Sequence, residues 1–548
     1  MGNAALFAVG TFVVFCTSIG LVVALRKYRR RNALLPLPPG PRGIPILGNV
    51  NDMPKKDELE WQHWLKHKDN YGPISSVTVL GQTMIIINDA SIAFELLRDR
   101  SNINSSRPHQ TFSGDIVGWN SSTALSQYNS YLKLHRKNIT KVVGSNISIA
   151  MFDRVQETEA AHFLLNVLAN PEDLSAHIRR EAGTVILKII YGYSAESHGH
   201  DPFIDLVGRA MNIFVESSVP GKWAIDLYHS VSFSSSYPVF PTNRILTWYN
   251  VVKYLPEGFP GTEYRKIGRE MRAVVDQCVA QPYAFVKQQM RKKRAKTSFL
   301  SQANQDFGTD PEMDYAHKWA AVSMFGAGAD TTVSSLMTFF LAMTLYPEVQ
   351  RKAQEEIDRV IGQDRLPVAA DKNSLPYIYA LMLETHRWHS IVPMALPHAS
   401  TTEDIYKGYR IPKGAVFLPN IWWFTHDPSV YPDPMSFNPD RFLKTDGHVP
   451  EPDPRNYVFG FGRRICPGRY VADNALFITI AQSLAVFDIK PDGALPKVAF
   501  ESGAISHPVP YRTSIKPRSE LHRALIEKSL KKYPWEESDS KELLDIKW

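Results

Sequence analysis

The stretch FGFGRRICPGRY, residues 459–470, places one cysteine among three glycines and three arginines. Cys466 is one of only three cysteines in the chain. A thiolate forms where positive charge, backbone NH groups or a metal lower the pKa of the thiol. Arg463 and Arg464 precede the cysteine, a helical pattern follows it, and glycines allow a tight turn around one sulfur. These features favour a thiolate metal ligand over the ordinary alternative, an inert buried cysteine.

The composition indicates one large globular domain that does not bind nucleic acid. Of 548 residues, 44% are hydrophobic and 21% are charged, which is ordinary for a folded protein. Much of the formal net charge of +7 comes from the local cluster RKYRRR, residues 26–31, so nothing points to a nucleic-acid surface. Three cysteines are too few and too scattered for a disulfide framework or a zinc site.

An apolar segment precedes this domain. Residues 3–25 carry no charge, and a helix of this length, at about 1.5 Å per residue, would cross a hydrocarbon layer of roughly 30 Å. The positive charges follow the apolar run, which favours a retained transmembrane anchor over a cleaved signal peptide and holds the domain in the cytosol. A basic and proline-rich linker, residues 26–49, would separate the anchor from the domain, residues 50–520.

Helical patterns dominate the domain. Asp310 as N-cap and Pro311 at the first helical position begin a run of helix formers that continues to Leu345, enough for a central helix about 50 Å long. The β-branched segment 74–89, with its Gly-Gln turn, predicts a hairpin. The charged tail, residues 521–548, has no clear apolar stripe, and we expect it to be partly frayed.

The cysteine stretch resembles the signature of one family. Phe459, Gly462, Arg464, Cys466 and Gly468 match the pattern F-x-x-G-x-R-x-C-x-G of the haem-thiolate monooxygenases, the cytochrome P450 family, at every position. The resemblance implies that Cys466 is the axial ligand of haem iron, that Arg464 pairs with a haem propionate, and that Phe459 belongs to the cofactor site. A thiolate ligand pushes electron density toward iron and favours O–O cleavage.

Two further motifs resemble the family's structural ion network. ETHR supplies Glu384 and Arg387, which are three residues apart and therefore on one face of a helix. PMSFNPDRF, which begins at Pro434, supplies Arg441. Each motif alone is weak, because an i,i+3 ion pair is usually a solvated helix face. Their order before the cysteine strengthens the resemblance.

The central helix carries the motif that the resemblance links to oxygen chemistry. AGADTT, residues 327–332, resembles the segment that bulges beside the oxygen site, and Asp330 and Thr331 would relay protons there. Backbone bonding by the threonine hydroxyl is the ordinary alternative. We expect Gly328 to keep the helix surface open for a ligand.

Other site residues follow from the same resemblance. YLKLHRK resembles the W-x-x-x-R helix, so Arg136 would hold a propionate, but Leu132 stands at the tryptophan position. His398 in MALPHAS would reach a propionate, with a surface histidine as the alternative. The substrate pocket would be apolar and suit a compact lipophilic ligand. Its predicted lining residues are Trp119, Phe325, Ala329, Val392, Met394 and Ile505.

The resemblance implies a mainly helical cytochrome P450 fold with a small β region and a monooxygenase activity. The cofactor would be haem b, and the electrons would come from NADPH through a separate NADPH-cytochrome P450 reductase, with cytochrome b5 as a second candidate donor. The protein would sit in the endoplasmic reticulum membrane and oxidise a small specialised metabolite, as fungal members do. Two alternatives are an oxygen-independent haem-thiolate isomerase or dehydratase and a catalytically silent haem-binding protein.

One segment departs from the expected layout. Residues 228–250 form a serine-rich and aromatic insertion with Arg244 as its only formal charge. They show neither a helical period nor a strand alternation. The insertion is either a flap near the substrate entrance or the membrane, or a translated intron in the gene model.

Overall fold

The computed structural model describes residues 35–546 except 46, 56–57, 220–221, 224, 227–257, 259–261 and 304–309. The predicted anchor, residues 3–25, and the insertion, residues 228–250, lie outside the described residues, as do residues 26–34 and 46 of the predicted linker. Within the described part of the chain, no helix is long and apolar enough to cross a membrane.

Helices make up most of the described residues. The α-helices are α1 (Glu60–Tyr71), α2 (Ala90–Ala93), α3 (Ser130–Val143), α4 (Asn146–Ile149), α5 (Asp153–Ala169), α6 (Leu174–Tyr191), α7 (Pro202–Ser217), α8 (Glu263–Arg291), α9 (Phe299–Ala303), α10 (Pro311–Leu345), α11 (Pro347–Val360), α12 (Pro376–Trp388), α13 (Ile421–His426), α14 (Arg455–Val458), α15 (Arg469–Val486) and α16 (Glu520–Lys532). Short π-helical segments lie at Phe94–Asp99 and Thr111–Ile116. Short 3-10 turns include Trp119–Ser121, Pro439–Phe442, Gly462–Arg464 and Ser540–Asp545.

The strands form one small sheet and two ribbons. They are β1 (Ile74–Val79), β2 (Gln82–Ile87), β3 (His398–Ala399), β4 (Asp404–Tyr406), β5 (Tyr409–Ile411), β6 (Val416–Pro419), β7 (Phe487–Pro491) and β8 (Thr513–Pro517). The sheet has the order β1-β2-β6-β3, while β4 pairs with β5 and β7 with β8. The predicted hairpin is confirmed, with its turn at Leu80 and Gly81, both at positive φ. The mainly helical fold with a small β region is therefore as predicted.

Helix α10 runs through the centre of the domain. The Asp310 carboxylate accepts hydrogen bonds from the backbone N–H groups of Glu312 and Met313, which caps the helix as predicted. The helix continues without interruption for 35 residues, to Leu345. Its C-terminal half is buried among α5, α6, α12 and α15 in the largest apolar cluster. A helix buried in this way can present side chains to a site in the interior.

The described part of the C-terminal tail, residues 521–546, packs against the body of the domain, so the expectation of partial fraying is wrong there. Helix α16 buries Leu525 and Ile526, and residues 533–545, here called the C-terminal strap, follow it. In the strap, the Trp535 ring stacks on His162 of α5 with 3.8 Å between the ring centroids. The Glu536 carboxylate lies 3.1 Å from the Lys188 ammonium group of α6. The tail is therefore held by the apolar side chains of α16 and by polar and ring contacts of the C-terminal strap.

A buried carboxyl group joins α6 to α15. Glu181 is 5% exposed and accepts a hydrogen bond from the hydroxyl of Thr479. Burial raises its pKa to about 8, because no basic side chain among the described residues pairs with it. The group is therefore protonated in the folded protein at neutral pH.

We predict that Glu181→Gln makes the protein more stable than wild type at pH 8. The pKa of Glu181 is higher in the folded than in the unfolded state, so the folded state binds more protons between about pH 4.5 and 8. The wild type therefore loses stability as pH rises through this window, by up to about 1.4 kcal/mol per pH unit from this group. Urea unfolding at pH 5 and pH 8 measures the difference. An equal loss in wild type and variant would contradict the assignment.

Candidate functional site

The cysteine stretch folds as a tight loop before α15. The backbone N–H of Cys466 donates to the carbonyl oxygen of Phe459 at 2.7 Å, which closes the loop. Gly460 and Gly462 have φ values of +76° and +53°. A Cβ atom on Gly462 would lie 2.5 Å from the carbonyl oxygen of Leu97. Glycine is therefore required at position 462 both for its backbone conformation and for the close approach of the 94–99 segment.

Burial and positive charge have opposite effects on the pKa of the Cys466 thiol. Burial raises the pKa of the thiol above its ordinary value, while the Gly468 N–H, Arg136 and Arg469 lower it. Burial is the larger effect. The protein groups alone therefore disfavour the thiolate, and a bound iron would supply a further positive charge that favours it.

Arg464 is buried beside this loop. Its guanidinium donates to the carbonyl oxygens of Ser105 at 2.7 Å, Thr123 at 3.1 Å and Ser126 at 2.5 Å. Burial, followed by repulsion from neighbouring arginines, lowers the pKa of Arg464 to about 8. The carbonyl groups satisfy its donors but do not balance its charge.

Arg107 is a second buried arginine, which was not predicted from the sequence. Arg107 donates to the carbonyl oxygens of Ala124 at 2.8 Å, Leu396 at 2.7 Å and Pro397 at 2.8 Å. Burial lowers its pKa to about 9, and repulsion by Arg136 adds to the effect. The sequence offers one weak indication of this role: Arg107 is the single formally charged residue in the stretch 101–114. A surface arginine would give the same pattern.

Arg136 and His398 complete the polar surroundings. Arg136 on α3 donates to the carbonyl oxygen of Ile465, next to the cysteine, at 2.6 Å. His398 on β3 is buried, with Nδ1 2.9 Å from the carbonyl oxygen of Asn104, so it is not the surface histidine of the alternative reading. Burial and then Arg107 lower the pKa of His398 to about 3, so the ring is neutral. Leu132, at the tryptophan position, is fully buried.

Arg107, Arg136 and Arg464, here called the arginine cluster, fit an anionic ligand. Each repels at least one other member, and no carboxylate among the described residues acts on any of the three. Buried charges normally have a partner of opposite sign. The two propionates of a porphyrin would supply two negative charges beside Cys466. The residues present therefore fit a haem bound through this cysteine.

Helix α10 presents an accessible face in its middle. Ala327 is exposed and Thr331 half-buried, whereas Phe325 and Gly326 before them and residues 333–336 after them are buried. The Thr331 hydroxyl donates to the Ala327 carbonyl oxygen at 2.7 Å, which is the backbone bonding of the ordinary alternative. The Asp330 carboxylate is 3.3 Å from Nε2 of His507. The helix does not bulge here; it remains a regular α-helix.

The prediction that Phe325 lines the pocket is wrong. Phe325 is fully buried and packs edge-on against Tyr191 of α6, with 5.6 Å between the ring centroids. Ala329 packs against the same apolar cluster. At 100° per residue, both positions lie about 160° around the helix from the exposed Ala327. Ala327 therefore lies on the accessible side of this helix, opposite Phe325, and the rotation of the helix could not be predicted from the sequence alone.

The expected reason for Gly328 is also wrong. A Cβ atom at this position would lie 2.5 Å from Cδ1 of Ile186 on α6, and not in open space. Glycine here allows α10 and α6 to pack closely. The tight packing fixes which face of α10 remains accessible.

The other predicted pocket residues lie in different surroundings. Trp119 is buried between Phe214 and Trp319, with ring centroids 5.3 and 6.4 Å away. Met394 is buried in the cluster that joins α1 to the sheet. Val392 and Ile505 are half-buried and lie close together, because Ser506 N–H donates to the Ile391 carbonyl at 2.8 Å. The structure thus brings the 392 and 505 segments together and keeps Met394 apart in another cluster.

The structure brings together the three residues of the predicted ion network. The Arg387 guanidinium donates to both carboxylate oxygens of Glu384, at 2.7 and 2.8 Å. Nε of Arg441 lies 3.2 Å from the same carboxylate, and its Nη1 is 2.7 Å from Glu451. Glu384 and Arg387 are fully buried, so each charge depends on the others. The two arginines also donate to backbone carbonyls of the 432–436 segment.

Comparison with known proteins identifies the family. The family model described as Cytochrome P450 matches residues 38–515. The chain belongs to the cytochrome P450 family. It is 44% identical over 503 residues to the cytochrome P450 monooxygenase claR of Ampulloclitocybe clavipes, covering 91% of this chain and 89% of claR. It is 41% identical over 546 residues to the cytochrome P450 monooxygenase ppsD of Aspergillus oryzae, covering 98% and 99%. The O-methylsterigmatocystin oxidoreductase of Aspergillus flavus is 36% identical over 536 residues, 97% of each chain.

Membership in the cytochrome P450 family and the likeness to fungal members are therefore confirmed, and the chain is a P450 monooxygenase, an oxidoreductase. Members of the family use haem iron, an electron donor and a small substrate. The family match ends at residue 515, so α16 and the C-terminal strap lie beyond it.

We predict that Gly328→Ala destabilises the protein by about 1–3 kcal/mol, because the methyl group must displace Ile186. Gly208→Ala on α7 is the matched control: no atom lies within 4 Å of its Cβ position. That change should stabilise the helix by about 0.5–1 kcal/mol. Denaturant unfolding measures both. Adding Ile186→Ala should make the Gly328→Ala change less costly, and equal costs in both backgrounds would contradict the packing explanation.

We predict that Glu384→Gln costs about 3–5 kcal/mol of unfolding free energy, because it leaves two buried arginines without their shared carboxylate. Glu355→Gln is the control, since Glu355 forms an exposed i,i+4 pair with Arg351 on α11 and should cost less than about 0.5 kcal/mol. Thermal and denaturant unfolding report both values. Similar losses in the two variants would show that the buried network does not stabilise the fold.

Proposed function

We propose that this protein binds haem b through Cys466 and inserts one atom of O2 into a small lipophilic specialised metabolite. The insertion would hydroxylate a C–H bond or form an epoxide, while the other oxygen atom leaves as water. The observation that carries the proposal is the convergence of Cys466 with the arginine cluster, which lacks a carboxylate partner among the described residues. The family match over residues 38–515 supports the same conclusion.

The cofactor would be held at two places. Cys466 would bind the iron, within the loop that Phe459 and Gly462 shape. The arginine cluster would bind the propionates, and the buried His398 lies beside Arg107. When bound, haem with a thiolate ligand supplies an iron that activates O2 and favours O–O cleavage.

The residues of α10 would move protons. The Thr331 hydroxyl uses its hydrogen on the Ala327 carbonyl, so its oxygen remains an acceptor that can hold a water. The Asp330 carboxylate would carry a proton from the side of His507 toward that water. Both side chains lie on or beside the accessible face of the helix, which supports this role.

The substrate would be compact and apolar. Ala327, Val392 and Ile505 contribute small or aliphatic side chains near the accessible face of α10 and the 505 loop. Pockets of this kind suit lipophilic ligands that are oriented by few polar groups. One relative is named for its action on O-methylsterigmatocystin. We propose a terpenoid, polyketide or indole metabolite as the substrate class.

Electrons would come from NADPH through a separate NADPH-cytochrome P450 reductase, with cytochrome b5 as a second donor. Arg463 is exposed beside the cysteine loop, which supports docking of an acidic partner there. The uncharged segment 3–25 supports an anchor in the endoplasmic reticulum membrane with the domain in the cytosol.

We predict that the reduced wild-type protein with carbon monoxide shows the red-shifted Soret band of a thiolate-ligated haem and that Cys466→Ala abolishes it. Cys278→Ala is the control, because Cys278 is a buried thiol outside the site. A band that persists in Cys466→Ala would overturn the ligand assignment.

If the wild-type protein shows this band, we expect it to consume oxygen in the presence of NADPH and a reductase. Turnover of a hydroperoxide without NADPH would indicate the isomerase class instead, and neither activity would indicate a silent haem protein.

A further inference from the structure

His507 lies against the central helix at one point. Its Nε2 atom is 3.3 Å from Oδ1 of Asp330, and the two side chains are only 20% and 17% exposed. No other basic side chain among the described residues forms an ion pair with Asp330. The contact therefore joins a residue of the proposed proton path to a separate loop, 177 positions later in the chain.

The loop that carries His507 is a small hairpin. The backbone N–H of Val509 donates to the Ala499 carbonyl at 2.9 Å, and that of Glu501 donates to the His507 carbonyl at 2.8 Å. These bonds fix the backbone of His507 from both sides of the loop. The imidazole is therefore presented by an ordered backbone.

Backbone atoms of Ser506 tie the same loop to the helices around the site. The Ser334 hydroxyl of α10 donates to the Ser506 carbonyl at 2.6 Å, and Nε2 of His389 lies 3.1 Å from the same oxygen. The Ser506 N–H donates to the Ile391 carbonyl at 2.8 Å. Ser334 lies about one helical turn beyond Asp330, so the loop is attached to α10 at two neighbouring points.

We propose that His507 is a positioning residue for Asp330. It would hold the carboxylate toward the 499–509 loop, in the orientation from which a proton can reach the water beside Thr331. The proposal rests on the proposed function, because it assumes that Asp330 delivers protons. Exposed polar contacts contribute little, but this contact between an imidazole and a carboxylate is mostly buried and is held by an anchored loop.

The contact also connects substrate binding with proton delivery. Ile505, a proposed substrate contact, lies two residues before His507 in the same hairpin. A ligand that rests on Ile505 acts on the loop that orients Asp330. Substrate binding and the orientation of the Asp330 carboxylate would therefore both depend on the 499–509 loop.

A double-mutant cycle tests the contact without measuring activity. The melting temperatures of the full-length, haem-loaded wild type, His507→Ala, Asp330→Asn and the double variant are compared. We expect the double variant to lose less than the sum of the two single losses, because both remove the same interaction. Combining His507→Ala with Glu520→Gln, which removes a distant exposed charge on α16, should be additive. Additive losses for His507 and Asp330 would overturn the proposal.

The positioning role is tested by oxygen consumption with NADPH and a purified diflavin reductase, in H2O and D2O. His507→Ala should slow consumption by about tenfold and raise the solvent isotope effect, because a misplaced proton donor makes proton transfer more limiting. His507→Gln keeps an N–H donor, so its rate of oxygen consumption should stay within about twofold of wild type. When Asp330→Asn is already present, adding His507→Ala should not slow oxygen consumption further.

A His507→Gln variant as slow as His507→Ala, or an unchanged solvent isotope effect in His507→Ala, would contradict the positioning role. Loss of the thiolate-type Soret band in wild type would instead refute the proposed function, and the melting cycle would still measure the pair.

Discussion

Buried guanidinium groups need a counter-charge, and the two groups of arginines in this protein differ in whether the chain itself supplies one. In the network of α12, one carboxylate, Glu384, lies between Arg387 and Arg441, so the charges are balanced within the chain. Around the cysteine loop, the members of the arginine cluster donate to backbone carbonyls and repel one another. Carbonyl oxygens satisfy donors but carry no net negative charge. The loop, α3 and the sheet therefore meet at a site whose charge fits an anionic ligand.

The packing of helix α10 determines which of its side chains remain accessible. Gly328 brings α10 against α6, and Phe325 is buried in the contact between them. As a consequence the opposite face, with Ala327 and the Thr331 hydroxyl, remains accessible. Asp330 points to the 499–509 loop and not into the helix contact. The same packing that stabilises the core thus leaves a small, apolar surface with a hydroxyl group and a carboxyl group at its edge.

Local features were predictable from the sequence, whereas contacts between distant segments were not. The Asp310 cap, the hairpin and the turn before α15 depend on neighbouring residues, and each was predicted. Arg107 and His507 were missed because their partners lie more than 100 positions away for most contacts, in segments that no spacing rule connects. Phe325 was misplaced because the rotation of α10 depends on its packing against α6. Fraying of the tail was wrongly expected because the apolar face of α16 is short, and because the partners of the C-terminal strap, such as His162 and Lys188, lie far away in the chain.

The most direct test of this account is a crystal structure of the haem-loaded protein. We expect Sγ of Cys466 to bind the iron and the propionate oxygens to lie within ion-pair distance of the arginine cluster. Ala327 should then face the open side of the porphyrin, with Phe325 directed away from it. Propionates paired with other residues, or iron held by a side chain other than Cys466, would contradict the central claim.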